Sequence, residues 1–181
     1  MVDNPNRDAK KGKMEMKNNT EFILKQAILL ERRGKTFYTQ VAGKSETPAV
    51  KEFFEMMAAE EDQHEKILSE QYKAFQDHGQ FIPTTLPEDK TETTVSKILT
   101  SDLKNKIAAA GFEAAAISAA MSMEERAIRI YSDQAQQTDD PQEKAVYQWL
   151  AGWESRHLDL LSRLDRELTE SIWNDNSFWP F

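Results

Sequence analysis

The chain has 181 residues, of which 39% are hydrophobic and 30% charged; its formal net charge is −8 and it contains no cysteine. That length suits one domain around one core, the acidic balance argues against nucleic acid as a partner, and no apolar run approaches the ~20 residues of a membrane span. The lack of cysteine excludes disulfides, thiolate zinc sites, iron–sulfur clusters and cysteine nucleophiles, so any metal must be held by oxygen and nitrogen.

Residues 1–18 are polar and charged, with basic residues gathered between Arg7 and Lys13. They have no apolar stretch of the kind a secretory signal needs, and they are read as a disordered tail on a cytoplasmic protein. The rest of the chain to residue 170 reads as one all-α unit. In the first helix Ile23, Ala27, Leu30, Gly34, Phe37 and Val41 recur at spacings of 3 and 4, the period of one helix face. Thr20 is its expected N-cap and Gly43 marks its end. Pro48 opens a second helix, where its missing N–H costs nothing, and Phe54, Met57, Glu61, His64 and Leu68 share one stripe. These two helices make a hairpin over residues 20–77.

The connection, 78–111, contains Gly79, Pro83 and Pro87 and is too long for a tight turn. It has room for one or two short helices near 95–110, and His78 reads as a solvated cation at a helix end. A second hairpin follows over 112–170. Its first helix carries Ile117, Met121, Glu124, Ile128, Tyr131 and Ala135; Asp139, Asp140 and Pro141 form the turn; and Tyr147, Leu150, Glu154, His157, Leu161, Leu164 and Leu168 line the last helix. Two hairpins joined by a long crossover give a four-helix bundle. Residues 171–181 include Trp173, Phe178, Trp179 and Phe181. So aromatic a tail is expected to pack on its own bundle or on a second copy, the alternative being a docking peptide for another protein.

The two hairpins repeat each other. A shift of 93 positions aligns 28–68 with 121–161 without a gap. It pairs Glu31 with Glu124, Tyr38 with Tyr131, Pro48 with Pro141, Glu61 with Glu154 and His64 with His157.

Within these apolar stripes the four glutamates are out of place. An unpartnered buried carboxylate costs several kcal/mol, and four together repel one another. Two divalent cations would neutralise their charge, with two neutral imidazoles completing the set. Glu61 and His64, like Glu154 and His157, stand three residues apart, which puts both side chains of each pair on one helix face. Glu60 also faces His64 at a spacing of four, but the repeat places it opposite Trp153, which favours Glu61. Glu125 lies about 100° round the helix from Glu124 and reads as solvated. The alternative is a polar core that holds no metal.

One Glu from each of two helices, with Glu-x-x-His from each of the other two, resembles the ligand pattern of ferritin-like carboxylate bundles. The phrases LLERRGKTFYTQVA, AAEEDQHEKIL, MSMEERAIRIYSDQA and AGWESRHLDLL resemble the helix motifs of the rubrerythrin-like branch of that superfamily. The resemblance spans roughly residues 20 to 168. It implies two iron ions, with manganese or zinc as alternatives. Glu31 and Glu124 would be terminal ligands, Glu61 and Glu154 bridging carboxylates, and His64 and His157 histidine ligands. It also implies that Tyr38 and Tyr131, seven residues after the first glutamate of each half, donate hydrogen bonds to ligand carboxylates; as core tyrosines they would serve packing alone. The implied activity is reduction of hydrogen peroxide or dioxygen. The alternatives are Fe(II) oxidation and handling, or a structural bundle with a vestigial site. The implied partners are a second copy, with helices exchanged in some arrangements, and a separate electron donor.

The pattern departs from rubrerythrins in two places. There is no cysteine-built rubredoxin site, and Ala127 stands where a further glutamate is usual, which leaves a symmetric six-ligand set closer to a bacterioferritin ferroxidase centre.

Overall fold

The computed structural model of the chain describes residues 5–46, 48–87 and 111–174. Four helices account for most of them: α1 (Pro5–Lys44), α2 (Pro48–His78), α3 (Phe112–Gln137) and α4 (Pro141–Asn174). No strand occurs among the described residues. The chain is an all-α bundle in which α1 packs on α2 and α3 on α4 as antiparallel hairpins.

The helix ends follow local chemistry. The α1–α2 turn closes with Ser45 N–H bonded to the Val41 carbonyl at 3.0 Å. Proline opens both α2 and α4. The Asp140 carboxylate accepts from the N–H groups of Gln142 and Glu143, at 2.8 and 3.2 Å, and so caps α4. Gly79 ends α2 at φ 71°, a conformation glycine adopts without strain, and its N–H reaches the Phe75 carbonyl at 2.8 Å.

Two features differ from expectation at the ends. Helix α1 begins at Pro5, within the segment expected to be disordered. That stretch lacks the apolar period that announces a packed helix, but apart from Gly12 it holds no helix breaker after Pro5, and its Ala, Lys, Met and Glu are strong helix formers. Helix α4 likewise runs to Asn174, past the expected boundary at 170. The short helices expected near 95–110 and the aromatic residues Phe178, Trp179 and Phe181 lie outside the described residues.

The buried stripe of α1 is Leu24, Ala27, Glu31, Tyr38, Val41 and Ala42. The expected Ile23, Leu30 and Phe37 lie on its half-buried flank. Spacing alone could not separate two adjacent faces that are both apolar, and the true one runs through the glutamate.

The core falls into two apolar layers. One gathers Tyr38, Val41, Phe53, Phe54, Met57, Ile117, Leu160, Leu161 and Leu164. The other gathers Leu24, Ala27, Leu68, Phe75, Phe81, Tyr131, Tyr147 and Leu150. Each large side chain buried there contributes about 1.5–3 kcal/mol. The repeat is visible in the packing: Tyr38 stacks on Phe54 and Tyr131 on Tyr147, each with ring centroids 6.0 Å apart. The crossover leaves α2 pinned to this core. The Gln71 side chain exchanges two hydrogen bonds with the Ile82 backbone at 3.1 and 3.0 Å, Phe81 is buried, and the Trp149 indole donates to the Pro87 carbonyl at 3.1 Å.

Candidate metal centre

Between the two apolar layers lies a polar one. Each helix turns one face inward, and the helical period then stacks Glu31 on α1, Glu61 and His64 on α2, Glu124 on α3, and Glu154 and His157 on α4 at one level. All six are buried. They form two sets, Glu31, Glu61, His64, Glu154 and Glu61, Glu124, Glu154, His157, and within each set one donor atom per residue lies within 4.8 Å of the others. Glu61 and Glu154 belong to both. The imidazole rings stack at 5.8 Å between centroids. His64 Nδ1 lies 3.2 Å from Glu31, 3.0 Å from Glu154 and 3.8 Å from Glu61. His157 Nδ1 lies 3.3 Å from Glu154, 3.5 Å from Glu61 and 3.6 Å from Glu124.

Two tyrosines close the layer from opposite sides. The Tyr38 hydroxyl donates to Glu124 and the Tyr131 hydroxyl to Glu31. Each half thus supplies the donor for the other half's outer glutamate. Burial and the adjacent carboxylates raise both phenols well above their usual range, so they remain protonated donors.

The electrostatics follow from this crowding. Burial pushes Glu31 and Glu124 well above the usual carboxylate range, and the charge of Glu154 adds to both, with Glu61 adding to Glu31. Burial acts the same way on Glu154, but the charges and hydrogen bonds of His64 and His157 outweigh it and hold that carboxyl well below its usual range. Glu61 is lowered too: burial and Glu154 oppose this, and hydrogen bonds from Glu31, His157 and His64 prevail. Burial would lower the two imidazoles, but the surrounding carboxylates raise both well above their usual range. The layer therefore demands positive charge, from protons or from metal.

The donor set fits a pair of metal ions. Both oxygens of Glu154 and Nδ1 of His157 are buried and meet only the ionisable groups of the same layer, at 3.0 Å or more and without a well-directed hydrogen bond, and all three atoms belong to groups that face the shared centre. Such atoms are costly unless something binds them. The mix of carboxylate and imidazole suits iron or manganese, and zinc can also use it.

A model of the rubrerythrin family matches residues 23–165. The chain belongs to the rubrerythrin family. No curated protein and no solved structure matches it significantly. Within this family frame the chain lacks the cysteines of a rubredoxin-type iron site. Ala127 is buried against the centre. With Gly34, Leu30 and Met123 it lines a cavity of about 10 Å³ that reaches Glu31, Glu61, Glu124 and Glu154. None of the described helices is long and apolar enough to cross a membrane.

Glu60 has a place that the repeat alone did not give it. Its carboxylate lies 2.7 Å from His157 Nε2, on the far side of that ring from the cluster. The signal for this contact lay across the hairpins, in the packing of α2 on α4, and no spacing within one helix carries it. Glu125 and His78 are exposed.

Proposed function

We propose that the chain is a di-iron carboxylate oxidoreductase that reduces hydrogen peroxide or dioxygen with electrons from a separate donor. One observation carries the reading: two buried donor sets that share Glu61 and Glu154. Glu31 and His64 would serve one iron, Glu124 and His157 the other, and Glu61 and Glu154 both. When bound, the iron pair supplies two electrons to a single small oxidant.

The chain's own residues do the rest. Tyr38 and Tyr131 orient Glu124 and Glu31 through their hydroxyl hydrogens. The apolar layers on either side exclude bulk water. The cavity beside Gly34 and Ala127 is about the size of one water molecule, which suits a small oxidant and excludes an organic substrate. These 181 residues hold no cysteine, and in this proposal the electrons come from a separate protein or small reductant. The setting we infer is cytoplasmic. The assembly is a homodimer, for which the exposed Phe22 and Leu29 on α1 offer apolar surface.

A second reading, Fe(II) oxidation followed by release, draws support from Ala127. With no further carboxylate there, the six donors form a symmetric set.

Anaerobic Fe(II) titration of metal-stripped protein, followed by peroxide or air, tests both. Two irons per chain and oxidation faster by peroxide than by air support the peroxidase; faster oxidation by air, with iron then released, supports iron handling. No iron bound, or Glu61→Ala and His157→Ala binding as well as the parent, removes the di-iron reading.

A further inference from the structure

The repeat breaks at one place that touches the centre. Glu60 and Trp153 are equivalent positions, each preceding a shared glutamate. The difference falls on the two imidazoles. His157 turns Nδ1 to the cluster and Nε2 to the Glu60 carboxylate, 2.7 Å away. His64 also turns Nδ1 to the cluster, but its Nε2 is buried without a partner. The Trp149 and Trp153 rings stand edge-on to His64, with centroids 5.3 and 5.4 Å away.

A neutral imidazole that offers Nδ1 to a metal must carry its proton on Nε2. At His157 that N–H donates to a carboxylate, which fixes the tautomer, holds the ring and makes Nδ1 a stronger base. At His64 the same N–H meets indole rings and finds no acceptor, so its binding tautomer is disfavoured and the Nε2 side of its ring is held by packing alone.

We propose that Glu60 is a positioning residue that makes the two metal positions unequal. The position served by Glu124 and His157 fills first and retains its ion. The position served by Glu31 and His64, with Trp153 in place of an acceptor, fills second and exchanges. This inference rests on the two-metal reading above and adds an order of filling to it.

Co(II) alone is the probe, titrated into the metal-stripped full-length chain and followed by calorimetry and by cobalt absorption. The parent is expected to bind two ions in steps at least about tenfold apart. Glu60→Gln should weaken the tighter step by about 10–100-fold, the usual effect of losing such a partner, and leave the weaker step nearly unchanged. Glu60→Asp should restore part of the loss. Two equal steps in the parent overturn the proposal, as does a Glu60→Gln chain that weakens both steps alike or neither; in each of these cases the two-metal reading stands. A folded parent that binds no Co(II) overturns both. If Glu60→Gln fails to fold, the separation of the two steps in the parent decides.

Discussion

Tyr38 on α1 donates its phenolic hydrogen to the Glu124 carboxylate on α3, across the seam between the two hairpins. Its repeat mate returns the contact, from Tyr131 on α3 to Glu31 on α1. The hairpins are thus tied to each other through the polar layer. Tyr38→Phe or Tyr131→Phe would leave a buried carboxylate short of its donor, a loss of about 1–3 kcal/mol. For a chain of this size that lowers the melting temperature by about 2–4 °C per kcal/mol. Thermal unfolding of both variants is the check. Unchanged melting in both would reduce the tyrosines to packing.

Gly34 allows close approach at the shared carboxylate. A Cβ built there would stand 3.1 Å from Glu61 Cδ and 3.2 Å from its Oε2. Gly34→Ala therefore displaces the end of the Glu61 side chain, while the helix gains about 0.5–1 kcal/mol from losing a glycine. The expected result is split: metal-stripped protein as stable as the parent or more so, and metal affinity reduced about tenfold or more, as expected from a misplaced ligand. Calorimetry with Co(II) and a melting curve on the same sample read the two effects separately. Unchanged affinity would mean that the Glu61 carboxylate has room elsewhere.

Much of this arrangement is legible in the sequence, and what is not has a physical reason. Glu61 with His64 and Glu154 with His157 announce themselves because i, i+3 pairs must share a helix face, and the 93-residue repeat sets the two pairs in equivalent places. The same repeat points away from Glu60, because position 153 is tryptophan. Yet Glu60 meets His157 on α4, a contact set by how α2 and α4 pack. The tyrosines lie between these cases. Their spacing from Glu31 and Glu124 places them on the inward face, but only tertiary packing assigns each to the opposite hairpin's glutamate. The helix before residue 19 has no apolar period to reveal it.

The stability of metal-stripped protein should depend on pH in a stated direction. His64 and His157 are raised well above the ordinary imidazole value of 6.5. Their contribution is fully present below about 6.5 and is lost as pH rises through the raised values. Glu31 and Glu124, raised above the ordinary 4.5, likewise favour the protonated state and lose their contribution as pH rises above it. Glu154, held well below 4.5, works oppositely: its contribution is present above that value and lost in strong acid. Melting temperature of metal-stripped protein should therefore fall as pH rises above about 4.5, where the glutamates begin to act, and more steeply above about 6.5, where the histidines join them. Bound metal competes with these protons, so the loaded protein should not show the fall. A metal-stripped protein that gains stability over that range would contradict this charge assignment.

Among the described residues, the start of the crossover is bonded to the bundle chiefly through Gln71, with Trp149 reaching Pro87 beyond it. Gln71 is fully buried and both accepts from and donates to the Ile82 backbone. Gln71→Ala leaves those two backbone groups without partners, at a cost of about 1–3 kcal/mol. Hydrogen exchange should rise at Ile82, where the N–H bond is lost, and stay unchanged around Glu154. Protection that persists at Ile82 would show that Phe81 and the Trp149–Pro87 contact hold the segment unaided.

Glu61 and Glu154 are each expected to serve two metal positions. Anomalous diffraction from iron-loaded crystals tests it most directly. Two iron peaks per chain are expected, one beside Glu31 and His64 and one beside Glu124 and His157, with the Glu61 and Glu154 carboxylates reaching both. A single peak, or two peaks with either glutamate touching only one, would contradict it.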